Sequence, residues 1–140
     1  MIRLNVAALI VRDEQVLLIE FDDETGLHYN LPGGGVEEGE TLAEAVQREA
    51  WEEAGAKVEV GRLLLVWDYV PARENFKYGT THKVGLIYEC ILQAGSEPHF
   101  PARHDAHQTG VGWLPVAKLA EVETVKYFGE RLIAAIYAKA

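Results

Sequence analysis

Residues 34–56 read GGVEEGETLAEAVQREAWEEAGA, and a helix can be located within this segment. Thr41 stands before a run of residues without glycine or proline, and Gly55 stands directly after that run. Threonine is a good helix N-cap, and glycine readily takes the left-handed conformation that ends a helix. The pattern therefore predicts one α-helix over Leu42–Ala54, about 20 Å long.

This helical segment is strongly acidic, because residues 37–53 hold seven glutamates and one arginine. The i, i+3, i+4 spacing of Glu49, Glu52 and Glu53 places their side chains on one arc of the helix. The neighbouring arc is apolar and is predicted to be buried; it consists of Ala43, Val46, Ala50 and Ala54. Carboxylates at such spacings repel one another, so a cation is their natural partner. Oxygen ligands without nearby Cys or His favour Mg²⁺ or Mn²⁺ over zinc.

A run of three glycines, Gly33–Gly35, precedes the helix and permits close backbone approaches that a Cβ atom would forbid. Gly34, Gly39 and Thr41 fit the frame of a phosphate-binding P-loop. Glu40, however, stands in place of the P-loop lysine, and a carboxylate at that position repels phosphate. The sequence therefore favours a metal-mediated phosphate contact over direct cradling by the loop.

The apolar runs outside this segment predict strands around the helix. The predicted strands are Ile2–Val11 and Val16–Phe21 as a hairpin, Val58–Val70, Lys83–Leu92 and the short Val111–Leu114. The other predicted elements are a solvated loop over residues 22–26, a short helix starting over Pro115–Ala120 and a longer helix over Val125–Lys139. Strands and helices that mix without strict βαβ alternation are typical of an α+β layered domain. A length of 140 residues fits one domain, 1–140.

The composition restricts the partners of this chain. Asp and Glu total 22 against 13 Lys and Arg, a formal net charge of −9, which disfavours a nucleic-acid polymer or an anionic membrane as partner. The apolar run Val6–Val11 is too short to span a bilayer, and charged residues follow it where a signal peptide would be cleaved. Cys90 is the single cysteine, which favours a reducing compartment. We therefore predict a cytoplasmic protein that binds a small molecule.

The segment that begins at Gly34 resembles the Nudix box, the signature of the Nudix hydrolase family. The box reads G-x5-E-x7-R-E-U-x-E-E-x-G-U, in which U is a bulky aliphatic residue. Its seven fixed positions are all matched, by Gly34, Glu40, Arg48, Glu49, Glu52, Glu53 and Gly55. Ala50 and Ala56 depart from the pattern, because each is small where the box has U. The resemblance implies an α/β/α sandwich with a mixed β-sheet.

The resemblance also implies an activity, the metal-dependent hydrolysis of the diphosphate bond of a nucleoside diphosphate linked to another moiety. That moiety would be a nucleotide, a ribose as in ADP-ribose, or a sugar. The implied ligands of Mg²⁺ or Mn²⁺ are Glu49, Glu52, Glu53 and the carbonyl of Gly33. Arg48 and Glu40 would orient these acids. Glu52 is the expected general base, and the catalytic set would be Glu52, Glu53 and Arg48.

Substrate contacts are expected outside the box. The basic and aromatic candidates for them are Arg73, Lys77, His82, Lys83 and Tyr29. Many relatives also place a further acid shortly before a tryptophan that resembles Trp113. Asp105, His107 and Gln108 occupy that region here, and the choice among them as an additional metal ligand stays open.

Two other functions remain open on the sequence alone. One is a module on the same fold that senses a nucleotide without hydrolysing it, and the other is a protein in which a metal only stabilises the structure. The complete box favours the enzyme over both. The particular substrate, the identity of the base and the oligomeric state are open as well, although a homodimer is common in similar proteins.

Overall fold

The computed structural model describes residues 1–122 and 129–138. The strands in this part of the chain are β1 (Arg3–Arg12), β2 (Gln15–Asp23), β3 (Gly26–Asn30), β4 (Gly33–Gly35), β5 (Val58–Tyr69), β6 (Lys83–Leu92) and β7 (Gln108–Pro115). The helices are α1 (Leu42–Ala54), α2 (Gly129–Ala138) and two short 3₁₀-helices, Pro71–Arg73 and Val116–Glu121. Within the described ranges, no helix is both long and apolar enough to cross a membrane.

Strand β1 joins two halves of a mixed sheet. It pairs antiparallel with β4 and parallel with β6, and β6 pairs antiparallel with β5. Strand β2 pairs with β1 only beside their common turn, and then runs antiparallel between β3 and β7. Asp13 and Glu14 form that turn with φ angles of 51° and 61°. These are the left-handed values that a two-residue hairpin turn of type I′ requires.

Helical layers cover both faces of the sheet. Successive residues of β1 point to opposite sides, as in any strand. Ala8 packs with Val46 of α1 in one hydrophobic core, whereas Leu9 packs with Val116 and with Leu132 of α2 in the other. Burial on both faces explains why β1 is apolar almost without interruption. The α+β architecture with a mixed sheet flanked by helices, which the resemblance implies, is confirmed.

The element boundaries agree with most of the sequence predictions. α1 and β6 have the predicted bounds, and β1 and β2 form the predicted hairpin. α2 falls within the helix predicted over Val125–Lys139, of which residues 125–128 and Lys139 lie outside the described residues. β7 is longer than the predicted Val111–Leu114.

The prediction of a loop over residues 22–26 was wrong, because strands β2 and β3 extend into this range. Asp22 and Asp23 end β2 and Gly26 begins β3, so that only a tight turn separates the two strands. The Asp23 carboxylate stabilises this turn by accepting hydrogen bonds from the Thr25 amide at 2.8 Å and from its hydroxyl at 2.6 Å. An Asp side chain that bonds two residues ahead is a common turn former.

The buried face of α1 is rotated from its predicted position. The residues of α1 that are fully buried are Ala45, Val46, Ala50 and Ala54, whereas Ala43 is exposed, contrary to the prediction. Ala45 lies one turn before Glu49, so the packed face extends beneath the acidic arc. The glutamates therefore lie at the edge of the core rather than on a free surface.

Candidate active site

The residues that flank helix α1 determine where it begins and ends. The Thr41 hydroxyl accepts a hydrogen bond from the Glu44 amide at 3.1 Å, and the Glu44 carboxylate accepts one from the Thr41 amide at 2.9 Å. These two bonds form a capping box at the start of the helix. Gly55 ends the helix with φ at 60°, a left-handed conformation that glycine adopts without strain. The acidic arc is thereby held on a helix of defined register.

Arg48 links the acidic residues to the glycine strand β4. Its guanidinium donates to both carboxylate oxygens of Glu40 at 2.8 Å, to Glu49 at 2.8 Å and to Glu52 at 3.3 Å. It also donates to the carbonyl of Gly35 at 2.9 Å. Hydrogen bonds from Arg48 hold the pKa of Glu40 down at about 2. Arg48 is thus hydrogen-bonded to both Glu49 and Glu52.

The glycines of β4 let the helix approach the strand. A Cβ atom on Gly34 would lie 2.6 Å from a carboxylate oxygen of Glu49, and one on Gly33 would collide with the carbonyl of Val6. The amide of Gly33 donates a hydrogen bond of 2.7 Å to Glu53. Glycine is therefore required here by close packing against the acids and against β1.

The acids of α1 carry negative charge that the chain itself compensates only in part. Burial raises the pKa of Glu53 to about 8; the hydrogen bond from Gly33 opposes this rise, and the charges of Glu49, Asp105 and Glu52 add to it. The pKa of Glu49 is also raised, mainly by burial, although Arg48 acts against the rise. Two neighbouring carboxyls whose charged form is disfavoured are typical of a functional site.

A cleft of about 450 Å³ opens beside these acids. Its lining consists of Glu49, Glu52, Glu53, Arg103, His104, Asp105 and Gln108. All three glutamates of the predicted metal set therefore face one cavity. The side chain of Glu49 is 12% exposed and that of Glu52 is 55% exposed, so the two differ in access to solvent.

Of the three residues left open before Trp113, two lie in this cleft. Gln108 is 3% exposed, and its side-chain amide donates to the backbone carbonyl of Glu53 at 2.8 Å. Asp105 lines the cleft and raises the pKa of Glu53. His107 does not line it; its carbonyl accepts a hydrogen bond from the Asp22 amide at 2.9 Å.

The donor set of the cleft fits Mg²⁺ or Mn²⁺ by chemistry, since it consists of carboxylate oxygens on adjacent helical turns. Glu49 and Glu52 point toward Arg48, and Glu53 points toward Gly33. In residues 1–122 and 129–138, no three Asp, Glu, His or Cys side chains converge tightly enough to hold a metal ion as they stand. Coordination of one ion by all three glutamates would therefore require a side-chain rotation in at least one of them.

A second pocket of about 260 Å³ lies on the face of β2, β3 and β7 opposite α1. Tyr29, a predicted substrate contact, lines it, and its hydroxyl donates to Glu20 at 3.2 Å. Gly110 and Gly112 stand beside Glu20 and Leu18 on the neighbouring strand, and their lack of side chains opens the floor. The pocket has an apolar lining with one carboxylate.

The structure does not bring the other predicted substrate contacts into the carboxylate cleft. Arg73 is exposed at the end of its 3₁₀-helix, and the Lys77 ammonium lies 5.2 Å from the centre of the Tyr78 ring. The carbonyl of His82 accepts from the Arg3 amide at 2.9 Å, and Lys83 begins β6.

Sequence reasoning missed Arg103 and His104, which line the carboxylate cleft beside Asp105. Their only signal in the sequence is a basic pair next to an acid in the stretch before Trp113. Nothing in that local pattern shows that the stretch folds back over α1.

Comparisons with known proteins agree with this geometry. The sequence matches the NUDIX domain over residues 1–136. A MutT-like protein of Streptomyces ambofaciens is 33% identical over 117 residues, which are 84% of this chain and 66% of that protein. A human 8-oxo-dGDP phosphatase is 36% identical over 108 residues, 77% of this chain and 30% of the phosphatase. A solved NUDIX hydrolase from Nitrosomonas europaea has a TM-score of 0.81 at 20% identity, over 99% of this chain and 90% of that one.

A mixed sheet between helical layers, with a glycine strand packed against a glutamate-bearing helix, defines a Nudix-type fold. Because the NUDIX domain covers nearly the whole chain, this protein belongs to the NUDIX family. The chain spans about two thirds of the length of its Streptomyces relative and less than a third of the human phosphatase.

Proposed function

We propose that this protein is a metal-dependent hydrolase that cleaves the diphosphate bond of a nucleoside diphosphate linked to another moiety. The observation that carries the proposal is the shared cleft of Glu49, Glu52 and Glu53. Burial and mutual repulsion raise the pKa of two of these acids, and a divalent cation would relieve that cost. A diphosphate supplies the oxygen ligands that such a cation takes in addition to carboxylates.

The residues of the cleft would have different roles in the reaction. Glu49, Glu52, Glu53 and the carbonyl of Gly33 would hold Mg²⁺ or Mn²⁺, which when bound neutralises phosphate oxygens and activates water for attack on phosphorus. Arg48 would hold the acids in place through the hydrogen bonds described above. Glu52 is the proposed base, since its carboxylate is the most exposed of the three and, within the described residues, accepts one hydrogen bond, at 3.3 Å from Arg48.

The remaining predicted contacts would bind the rest of the substrate. The pocket of Tyr29 has the apolar lining and the single carboxylate that suit a nucleobase. Arg73, Lys77, His82 and Lys83 are proposed to contact the moiety beyond the diphosphate. The human relative named for 8-oxo-dGDP supports a nucleoside diphosphate as the core of the substrate.

The test is hydrolysis of a panel of nucleoside diphosphate derivatives, with Mg²⁺, Mn²⁺ or EDTA, followed by identification of both products. We expect turnover only with metal. Glu53→Gln should lower kcat by about 100-fold or more, because it removes a ligand from the cluster. Glu38→Gln is the matched control, since Glu38 is an exposed glutamate of the same segment outside the cleft.

Full turnover of Glu53→Gln on the best substrate would contradict the proposal. Tight nucleotide binding without any cleavage, after hours with metal, would instead favour the sensing module. A chelator that lowers the melting temperature of a protein that binds no nucleotide would favour the purely structural metal.

A further inference from the structure

The segment between β6 and β7, residues 93–107, is attached to the last turn of α1 at one point within it, His99, and at Gln108, the residue that directly follows it. The amide of His99 donates to the carbonyl of Ala54 at 2.7 Å, and the side chain of Gln108 donates to the carbonyl of Glu53 at 2.8 Å. The last carbonyls of a helix have no partner within the helix. His99 and Gln108 satisfy two of them, and the segment is thereby tied to the turn that carries Glu53.

Between these two attachments the segment passes along the carboxylate cleft. Arg103, His104 and Asp105 line the cleft together with the glutamates of α1. Hydrogen bonds within the segment support this course: the Asp105 carboxylate accepts from the His107 amide at 2.8 Å, and the Asp105 carbonyl accepts from the Gln108 amide at 3.0 Å. The His104 ring packs 4.5 Å from the ring of Phe100.

The charges in the cleft are unevenly matched. Arg48 is already bonded to Glu40, Glu49 and Glu52. Arg103 is the one Lys or Arg among the described residues that line the cleft, and no acid of the described chain lies within ion-pair distance of it. A guanidinium presents its N–H groups in a fork that matches two oxygens of a phosphate.

We propose that Arg103 binds a phosphate group of the substrate in the cleft that it lines together with the α1 carboxylates. The inference rests on the proposed function, because a diphosphate must enter this cleft. It assigns the anion contact to the segment 93–107, which the sequence did not point to. Arg103 acts here as a substrate-binding residue and needs no change in protonation.

Binding of imidodiphosphate, whose P–N–P bridge resists hydrolysis, tests this contact directly. The measurement is calorimetric titration in Mg²⁺ of the wild-type chain, Arg103→Ala, Arg103→Lys and Arg62→Ala. We expect Arg103→Ala to weaken binding about 10-fold, the usual scale for a charged hydrogen bond. Arg103→Lys should fall between the two, since lysine keeps the charge and loses the fork. Arg62 is exposed and is not among the residues that line the cleft, so Arg62→Ala should match the wild type.

A second readout separates binding from a structural role. Loss of a phosphate contact should make the affinity of Arg103→Ala for imidodiphosphate less dependent on salt, while its melting temperature stays that of the wild type. Equal affinity of Arg103→Ala and wild type overturns the inference, and so does a wild-type protein that does not bind imidodiphosphate with Mg²⁺.

The outcome is independent of whether nucleotides are cleaved. Binding that depends on Arg103, in a protein that hydrolyses nothing in the substrate panel, would remove the proposed function and leave this inference standing. Efficient hydrolysis with unchanged imidodiphosphate affinity in Arg103→Ala would do the reverse.

Discussion

Two segments flank strand β6, and they differ in what holds them. The segment of residues 70–82 is attached to the strand before it, because the Tyr69 hydroxyl donates to the carbonyl of Gly79 at 2.8 Å and accepts from the Tyr78 amide at 3.0 Å. The segment of residues 93–107 is attached to α1, through Ala54 and Glu53.

Both segments carry cations, but only one of them places a cation in the carboxylate cleft. Arg73 and Lys77 lie in the first segment and do not line the cleft, whereas Arg103 of the second does. The number of basic residues in a segment therefore says little about their position. The two segments differ in the element to which they are hydrogen-bonded, and it is the segment bonded to α1 that contributes to the cleft lining.

The largest expected effect is the pH dependence of stability caused by the buried carboxyl of Glu53, to which Asp105 of the segment 93–107 contributes. The pKa of Glu53 is about 8 in the folded chain against an ordinary 4.5, chiefly through burial and with a contribution from Asp105. Below pH 4.5 the carboxyl is protonated in both states. Above it the unfolded chain loses the proton more readily, so the free energy of unfolding of the metal-free protein falls until the pH passes about 8. Each pKa unit is about 1.36 kcal/mol, which makes the loss several kcal/mol.

Urea unfolding in EDTA from pH 5 to 8.5 measures this effect. Glu53→Gln should abolish most of the slope, and Asp105→Asn should reduce it slightly, whereas changes at Arg73 should leave it unchanged. The same slope in Glu53→Gln as in the wild type would show that another group is responsible. Added Mg²⁺ should restore stability at the high end of this range.

Removing the side-chain hydrogen bonds that attach each segment should have an effect of intermediate size on stability, and only one of the two changes should affect ligand binding. Tyr69→Phe and Gln108→Leu each remove hydrogen bonds of a buried side chain, and each should lower the free energy of unfolding by about 1–3 kcal/mol. Only Gln108→Leu should also weaken imidodiphosphate binding, because it releases the segment that carries Arg103. Thermal melts and calorimetry measure both quantities. An equal loss of imidodiphosphate binding in Tyr69→Phe would show that the segment of residues 93–107 has no special role in binding.

The smallest effect is expected for the double change of Arg73 and Lys77 to alanine. If these residues contact the moiety beyond the diphosphate, KM for the best substrate should rise by a few-fold, the scale of exposed charge contacts. The affinity for imidodiphosphate should not change, since that probe has no such moiety. Reduced affinity for imidodiphosphate would instead show that the segment of residues 70–82 contacts the diphosphate.

Local sequence signals were sufficient to predict the position of helix α1. Thr41 and Gly55 are capping residues whose effect needs only their immediate neighbours, and the helical repeat then fixes the relative directions of Glu49, Glu52 and Glu53. The role of Arg48 follows the same logic, because its main partners lie within the box.

Strand β4 shows where local signals fail. Three successive glycines favour a loop by propensity, yet Gly33–Gly35 pair with β1 as a strand. A Cβ atom on Gly33 would collide with the backbone of β1, so this close pairing excludes a side chain at that position. A contact between separate elements here overrides the preference of the residues themselves.

Capping and helical spacing act over a few residues. The acidic arc and the arginine bonded to it can therefore be predicted from the sequence alone. Gln108, by contrast, meets Glu53 across 55 positions of sequence. No propensity or period links residues at that distance, and their contact arises only when the sheet brings β7 beside the end of α1. The acids of the cleft could thus be predicted from the order of residues, while the presence of Arg103 in the cleft lining depended on how distant elements pack together.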